Sequence, residues 1–287
     1  MTPRPSPLAS HPTALTIAGS DSGGGAGIQA DLKAFEANGV FGMSVITALT
    51  AQNTREVTAV HAVPPAFLAA QLDAVASDLP VGAVKTGMLG TADVVEAVAA
   101  GLARWHLGPV VVDPVMVSKG GHPLLAPDAV AAVRARMLPL ADVLTPNAHE
   151  AEALVGFPVR TLADARRAAD ALLAGGPRAV LVKGGHLDDE ADAVDLLATA
   201  DGEEWTLRMP RLDTPHTHGT GCTYASAIAA RLARGEDLLT AVTRARAYLQ
   251  AAIATAPGLG GGHGPTRHLW MVTGDEAAPA PVVERAR

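Results

Sequence analysis

Residues 217–223 form a short loop whose residue types suit the binding of an anion. Two glycines, Gly219 and Gly221, precede Cys222 and an alanine-rich run with helical character. Glycines let backbone N–H groups converge, and the N-terminus of a helix adds partial positive charge. The loop therefore predicts an anion hole, which in phosphoryl transfer would hold the transferring group. Cys222 would lie in the first helical turn, where a thiolate is stabilised; a buried, inert cysteine is the alternative interpretation.

Asn147 and Glu150 follow the dipeptide Thr145-Pro146 and are separated by about one helical turn. Side chains at this spacing face the same way. They could hold the water shell of Mg²⁺, which prefers oxygen ligands and keeps several waters. The same spacing also fits a capped helix start, with Asn147 as the N-cap and Glu150 completing the cap. The spacing alone leaves both interpretations open.

Lys183 stands before Gly184-Gly185 at the end of an apolar run. There it could neutralise the phosphates of ATP, or it could be an ordinary solvated lysine at a strand end. The phosphate-binding pattern GxxxxGK[ST] does not occur in the sequence, so the chain is not a P-loop enzyme.

A second glycine-rich loop spans residues 19–27 and also follows an apolar run. Gly25, Gly27 and Ala30 loosely match the dinucleotide-binding fingerprint, so a nicotinamide-dependent oxidoreductase is a competing interpretation. The acidic residue expected after the next strand is missing, however, and Gln52-Asn53 stands there instead. A loop that brings its backbone close to a small ligand explains so many glycines better than a flexible turn does.

Apolar runs without alternation recur along the chain between helical runs rich in alanine and leucine. Val110-Val111-Val112 is typical of a strand covered on both faces, as in a parallel sheet between two helix layers. The β-α-β-α order predicts a doubly wound α/β domain, which binds ligands at the carboxyl ends of its strands. The predicted strands are Ala14–Ala18, Ser44–Thr50, Ala83–Gly87, Val110–Asp113, Val143–Thr145 and Ala179–Lys183. The predicted helices are Gly27–Asn38, Pro65–Ser77, Thr91–Arg104, Pro127–Leu138, Thr161–Ala174, Cys222–Arg234 and Leu238–Thr255.

Composition bounds the class of protein. We expect one domain over residues 13–272, between tails at 1–12 and 273–287 that show no periodicity. The formal net charge of −7, without any basic block, disfavours nucleic acid or an anionic membrane as a partner. The apolar runs are too short and too polar to span a bilayer, and no signal-peptide pattern opens the chain, so a cytoplasmic protein is expected. A single cysteine rules out an intrachain disulfide.

Taken in order, these motifs resemble the hydroxymethylpyrimidine/phosphomethylpyrimidine kinases of thiamine biosynthesis. The resemblance covers roughly residues 13 to 270 and rests on many separated runs: Ala14–Asp21, Gly24–Lys33, Val45–Leu49, Ala51–Thr54, Lys85–Leu89, Val112–Met116, Thr145–Asn147, Lys183–His186, His218–Thr223 and Gly262–Pro265. It implies a three-layer, ribokinase-like α/β fold with a mostly parallel sheet, and a homodimer. It also implies two reactions, in which ATP phosphorylates 4-amino-5-hydroxymethyl-2-methylpyrimidine and a second ATP converts the monophosphate to the diphosphate.

The resemblance further implies roles for individual residues. The pyrimidine would contact Gly19, Asp31, Gln52, Met88 and Val115. ATP would be bound by Asp113, Asn147, Glu150, Lys183, Thr217 and Gly219, with Asp113 and Glu150 reaching Mg²⁺ through water. Cys222, Lys183, Gly219 and Gly221 would form the catalytic set, with Cys222 where sugar kinases of this fold carry an aspartate base. A carboxamide at Gln52 offers both a donor and an acceptor, which suits the edge of an aminopyrimidine.

Other functions fit parts of this pattern. Pyridoxal kinases share a similar Gly-Thr-Gly-Cys loop, so a vitamin kinase acting on pyridoxal or pyridoxine is the main alternative. A non-catalytic pyrimidine sensor on the same fold is another, against which Lys183, Glu150 and Cys222 argue. For the kinase itself, Cys222 as a base is a hypothesis for the first step alone, because a phosphate monoester is already an anionic nucleophile at neutral pH.

Overall fold

The computed structural model describes residues 11–118, 120–185, 187–188, 190–273 and 280–286. Most of the predicted N-terminal tail at 1–12, and half of the predicted C-terminal tail, lie outside the described residues. The described residues form a sheet of ten strands. The strands are β1 (Thr13–Asp21), β2 (Phe41–Gln52), β3 (Val57–Ala62), β4 (Val84–Thr86), β5 (Val110–Val112), β6 (Val143–Leu144), β7 (Ala179–Val182), β8 (Ala193–Thr199), β9 (Glu204–Met209) and β10 (Val282–Arg285).

The sheet has a parallel centre and antiparallel margins. Its order is β10-β9-β8-β7-β6-β5-β4-β1-β2-β3. From β2 across β1, β4, β5 and β6 to β7, each pair of neighbours is parallel. β3 pairs antiparallel with β2 at one edge, and β8, β9 and β10 add antiparallel strands at the other. The carboxyl ends of the central strands therefore meet at one edge of the sheet.

Helices cover both faces of this sheet. They are α1 (Gly27–Ala37), α2 (Pro65–Ala76), α3 (Ala92–Trp105), α4 (Pro127–Ala132), α5 (Ala148–Val155), α6 (Leu162–Leu173), α7 (Thr220–Ala233) and α8 (Leu238–Ala254). Buried side chains of α2 to α6 pack on one face in one apolar cluster, and those of α1, α7 and α8 pack on the other face in a second cluster. Successive residues of β5 alternate between the clusters, with Val111 in one and its two neighbours in the other. Three layers result, as the resemblance implied.

All six predicted strands and all seven predicted helices are confirmed, with ends that differ by a few residues. Pro127–Leu138 is α-helical only to Ala132, after which Val133–Met137 forms a π-helical turn. The sequence did not indicate β3, β8, β9, β10 or, as an element, α5. β10 corrects the expectation of an aperiodic C-terminal tail, because Val282–Arg285 pairs with β9 along its length. Within the described residues, no helix combines the length and apolar character needed to cross a bilayer.

Candidate active site

A cleft of about 950 Å³ opens at the carboxyl ends of the central strands. Nearly every residue that the sequence singled out lines it. The lining includes Gly19, Gln52, Met88, Asp113, Val115, Asn147, Glu150, Lys183, Thr217, Gly219, Gly221 and Cys222. The exception is Asp31, which is fully buried below the cleft. The fold thus brings together groups from residue 19 to residue 222, as binding at the strand ends requires.

A lysine and two carboxylates form a charged cluster on one side of the cleft. Lys183 Nζ donates to Asp113 Oδ1 at 2.8 Å and lies 3.8 Å from Glu150 Oε2. The ends of β6 and β7 meet in a bridge between Asn147 and Lys183, which fixes their relative position. Burial opposes the charge of Lys183, but Asp113 and Glu150 outweigh it and raise the pKa of the ammonium. Lys183 therefore stays cationic, as a partner for phosphate oxygens must.

Glu150 serves as part of a helix cap. Asn147 Oδ1 accepts from Glu150 N at 2.9 Å, and Glu150 Oε2 accepts from Asn147 N at 2.8 Å, so the two residues form a capping box at the start of α5. The structural interpretation of their spacing is thus confirmed. Burial and the neighbouring Asp113 carboxylate raise the pKa of Glu150 to about 7, against the opposing effect of Lys183. A cation close to this carboxyl group would stabilise its ionised form.

The same two carboxylates fit a divalent cation. Asp113 is almost fully buried, and its Oδ2 has no hydrogen-bond partner among the residues that the structure describes. No set of three or more His, Cys, Asp or Glu side chains within the described ranges is placed to hold a metal. A site with one or two carboxylates matches Mg²⁺, which takes its remaining ligands from phosphates and water.

The N-terminus of α7 faces this cluster. Gly219 is its N-cap with φ 78°, a conformation that favours glycine, and a Cβ there would collide with the Gly25 carbonyl oxygen. A Cβ on Gly221 would lie 3.2 Å from Lys183 Nζ and 3.6 Å from Asp113 Oδ2. Lys183 therefore reaches the first turn of α7, where the N–H groups of a helix lack intrahelical partners. This geometry suits the predicted anion hole, with glycine needed so that the backbone can come close.

Cys222 lies in the first turn of α7 and lines the cleft. Burial raises the pKa of its thiol to about 11, although the Lys85 ammonium and a backbone hydrogen bond from Gly27 act in the opposite direction. The carboxylates of Asp31 and Asp113 raise it further. The thiolate that we expected at a helix N-terminus is therefore not the resting form, because burial and nearby negative charge outweigh Lys85 and the hydrogen bond from Gly27.

Asp31 has a different position from the one expected. Its carboxylate accepts from Lys85 Nζ at 2.8 and 2.9 Å, from Thr16 Oγ1 at 2.6 Å and from Ser226 Oγ at 2.7 Å. Both Asp31 and Lys85 are 0% exposed. The expectation that Asp31 contacts the pyrimidine is corrected, since its oxygens are occupied by protein groups. It instead holds Lys85, which does line the cleft and which the sequence analysis did not single out.

The opposite side of the cleft is more apolar. A Cβ on Gly19 would collide with the Met88 side chain, so the glycine leaves room for Met88 to form the wall. The Gln52 side chain is partly exposed between Thr50 and His218. Val115 lies directly after the Asp113-Pro114 turn. A flat ring with polar edge groups fits a wall of this kind.

Two further polar pairs border the cleft without having been predicted as site residues. Asp21 and His218 are joined by a 2.9 Å contact between Oδ2 and Nε2. Asp195 of β8 lies 3.0 Å from Arg246 Nε and accepts from Gly184 N at 2.9 Å, which fixes the backbone next to Lys183. His218 belongs to the loop of residues 217–223, whose glycines indicated an anion site in the sequence. The polar Asp195 and Arg246 inside apolar runs were the one available signal for the second pair.

Comparison with known proteins agrees with this geometry. The family model described as Phosphomethylpyrimidine kinase matches residues 21–267. The hydroxymethylpyrimidine/phosphomethylpyrimidine kinase of Streptomyces coelicolor is 54% identical over 268 residues, which cover 93% of this chain and 98% of that protein. A bifunctional thiamine biosynthesis protein of Geobacter sulfurreducens is 54% identical over 89% of this chain and 52% of its own length. Among solved structures, an ADP complex of Bacillus subtilis pyridoxal kinase has a TM-score of 0.84 at 40% identity, covering 90% of this chain and 98% of that one.

Proposed function

The chain belongs to the phosphomethylpyrimidine kinase family, and from this we infer that it phosphorylates hydroxymethylpyrimidine and then its monophosphate, with ATP as the donor. It is a phosphotransferase of thiamine biosynthesis with a ribokinase-like fold. The observation that supports this function best is the cleft itself, in which an anion hole and a lysine–carboxylate cluster face an apolar wall with one carboxamide.

We propose that the charged side of the cleft binds ATP. Asp113, Asn147, Glu150, Lys183, Thr217 and Gly219 line this side. Lys183 and the N–H groups of the α7 start would neutralise the phosphates and the charge that develops on the transferring group. Asp113 and Glu150 would hold Mg²⁺, which would supply further charge neutralisation at the phosphates.

The other side would bind the pyrimidine ring. Gly19, Met88 and Val115 offer an apolar wall, and Gln52 offers a donor and an acceptor for the ring edge. With the ring there, the 5-hydroxymethyl group would point toward the α7 start, where Cys222, Gly219 and Gly221 lie beside Lys183. We propose Cys222 as the base for the alcohol step, which requires that its thiol lose its proton before transfer. The monophosphate brings its own anionic oxygen and needs no base.

We also propose a homodimer that forms through β3. This edge strand is exposed along nearly its whole length, and Val60 in it is 47% exposed. Leu49 of β2 and Phe67 of α2 are exposed as well, at 46% and 61%. An open apolar edge strand favours pairing with another chain, and a second copy would cover it with an antiparallel partner.

Product analysis tests the proposed reaction. The full chain is incubated with 4-amino-5-hydroxymethyl-2-methylpyrimidine, ATP and Mg²⁺, and the products are separated by anion-exchange chromatography. We expect the monophosphate first and the diphosphate later, with ADP formed at each step. Parallel reactions with pyridoxal and pyridoxine test the alternative substrates. Turnover of the pyridoxal compounds alone would replace the proposed substrate, and no turnover of any would overturn the assignment.

A further inference from the structure

The carboxamide of Gln52 lies between two hydrogen-bonding side chains. Its Oε1 is placed 3.2 Å from Thr50 Oγ1, and its Nε2 is placed 3.4 Å from His218 Nε2. The two ends of a glutamine amide exchange places by a half-turn of the group, so the surrounding hydrogen bonds must decide which end is which. Each of the two neighbours, His218 and Thr50, determines which end of the Gln52 amide faces it.

The first neighbour is His218, whose Nε2 must carry a hydrogen. Asp21 Oδ2 lies 2.9 Å from it, and an ionised carboxylate can only accept. Asp21 is ionised: burial opposes its charge, but hydrogen bonds from His218 and from the N–H groups of Ala26 and Gly23 lower its pKa. Its position is fixed too, because Oδ2 also accepts from Gly25 N and Ala26 N at 3.0 and 2.9 Å. The one hydrogen on His218 Nε2 is donated to Asp21, and a protonated Nε2 has no lone pair with which to accept from an amide N–H. The Gln52 nitrogen therefore does not suit this side, and the Gln52 oxygen does.

The second neighbour is Thr50, whose hydroxyl has one hydrogen. That hydrogen is used toward Ser20 O, at 2.8 Å, the shorter of the two contacts that the hydroxyl makes. Toward Gln52 the hydroxyl oxygen can then only accept. The Gln52 amide therefore places an N–H toward Thr50. Thr50 and His218 thus favour the same orientation of the amide, each for its own reason.

We infer that Thr50 and the Asp21–His218 pair lock the Gln52 carboxamide with Nε2 toward Thr50 and Oε1 toward His218, and that this lock makes the enzyme select a 4-aminopyrimidine over a 4-oxopyrimidine. Asp21, His218 and Thr50 are positioning residues in this scheme, and Gln52 is the group that contacts the ring. The inference rests on the proposed function, since it takes a pyrimidine as the ligand of Gln52.

The selection follows from the complementary edges of the two rings. A 4-aminopyrimidine presents a donor at its amino group and an acceptor at N3, whereas the 4-oxo ring presents an acceptor and an N3–H donor in the same places. A carboxamide that turns freely can match either ring by a half-turn. A locked carboxamide matches one, and the other ring then meets donor against donor and acceptor against acceptor. Unpaired buried polar groups make such a mismatch costly.

Binding of the two rings to matched variants tests the lock. Calorimetry without ATP measures the dissociation constants of 4-amino-5-hydroxymethyl-2-methylpyrimidine and its 4-oxo counterpart. Thr50→Val removes the acceptor at nearly constant volume, and Thr50→Ser keeps the hydroxyl as the control. We expect Thr50→Val to reduce the preference for the amino ring about fivefold, the effect of one hydrogen bond, while Thr50→Ser keeps the wild-type preference. His218→Leu should reduce it by at least as much, and Thr50→Val decides the question alone if that variant does not fold.

Each outcome has a definite meaning. A fall in the amino-to-oxo preference in Thr50→Val but not in Thr50→Ser supports the lock. Affinities for both rings that weaken by the same factor in Thr50→Val, so that the preference is unchanged, overturn the lock and leave the proposed kinase function in place. A wild-type protein that neither binds nor phosphorylates either pyrimidine overturns the proposed function and the lock with it.

Discussion

Lys85 and Lys183 both reach the cleft, and each is bound to a carboxylate that is at most 1% exposed. Burial disfavours both ammonium groups, yet the neighbouring carboxylates raise both pKa values. The two lysines differ in how accessible their ammonium groups are to a ligand. Lys183 donates to Asp113 from a partly open position beside the α7 start, whereas Lys85 is enclosed. We therefore propose phosphate neutralisation for Lys183 and not for Lys85, whose charge acts on the buried groups around it.

The role of Cys222 can be tested by comparing the two phosphorylation steps. With a thiol pKa of about 11, about one molecule in ten thousand carries the thiolate at pH 7, and this fraction rises tenfold per pH unit. If the thiolate is the base, the alcohol step accelerates with pH until the pH approaches the thiol pKa of about 11. Cys222→Ala should slow that step about 10²- to 10⁴-fold and slow the phosphate step by much less.

Separate steady-state kinetics on the alcohol and on the monophosphate measure both effects. Cys222→Ser keeps the size of the side chain with a far weaker acid, so it should behave like Cys222→Ala in the alcohol step. Equal losses in both steps would show that Cys222 belongs to the anion hole or to packing.

Glu150 predicts a pH-dependent requirement for Mg²⁺. Its pKa of about 7 means that the carboxyl is mostly protonated below pH 7 and ionised above it. Protons and Mg²⁺ compete for the same oxygens, so the Mg²⁺ concentration for half-maximal rate should fall as pH rises from 6 to 8. Glu150→Gln should flatten this dependence and raise the requirement. Glu152→Gln on the same helix is the control, and an identical pH profile in the wild type and Glu150→Gln would disprove the role.

Among the elements, α1 is joined to the sheet and to α7 by the hydrogen bonds of one buried carboxylate, in addition to its apolar packing. Asp31 of α1 accepts from Thr16 of β1, Lys85 of β4 and Ser226 of α7, so four elements meet at a single side chain. These elements also carry the glycine loop, the anion hole and the cleft floor. The hydrogen bonds of Asp31 therefore set the relative positions of the groups that bind ligands.

Removing Lys85 should destabilise the fold strongly. Lys85→Met leaves the buried Asp31 carboxylate without its cation, which costs about 3–5 kcal/mol of unfolding free energy. The double variant Asp31→Asn/Lys85→Met should lose less than Lys85→Met, because no unpaired charge remains. Arg136→Met breaks a surface pair with Glu96, 3.1 Å apart with both side chains about half exposed, and should cost under about 1 kcal/mol. Urea denaturation measures all three, and similar losses for Lys85→Met and Arg136→Met would contradict the argument.

The sequence predicted the elements whose burial is visible in their own residues. β5 and β7 are continuous apolar runs, β1 is apolar over most of its length, and the helices between them repeat alanine and leucine. β9 was not predicted because it contains Glu204 and Arg208. Their charges are paired with Arg166 and Glu190, which lie elsewhere in the chain. β3 was not predicted because it is exposed and buries neither of its faces. Local patterns cannot show a strand whose stability comes from distant partners.

The sequence predicted which residues line the candidate site better than it predicted their contacts and protonation states. Polar residues at strand ends identified the lining of the cleft because parallel strands gather their carboxyl ends. The misplacement of Asp31 has a simple cause: its partner Lys85 is 54 positions away in the chain, and spacing cannot report that distance in space. The state of Cys222 was also beyond the sequence, since burial and the nearby Asp31 and Asp113 set its pKa.

At the scale of the whole molecule, both edges of the sheet are open. β3 ends the sheet on one side and β10 ends it on the other, and all but one residue of each strand are exposed. Both edges carry an exposed valine, Val60 at 47% and Val282 at 59%. This pair allows the proposed dimer surface to be compared with a similar surface that is not proposed.

Val60→Glu should convert the proposed dimer to a monomer. A charge in the middle of the β3 edge opposes strand pairing, so we expect the sedimentation coefficient to fall to that of a 29.1 kDa particle. Val282→Glu, at the other edge, should sediment as the wild type does. A wild-type protein that sediments as a monomer, or a dimer that survives Val60→Glu and dissociates with Val282→Glu, would contradict the proposed interface.

The contact between Asp21 and His218 joins residues 197 positions apart. During synthesis on a ribosome, the glycine loop after β1 emerges early, and the segment that carries His218 emerges only after nearly two hundred further residues have been added. A nascent chain can thus build most of its parallel sheet while it is still unable to hold either substrate. Ligands would bind only near the end of translation, so they would stabilise finished molecules and not growing ones.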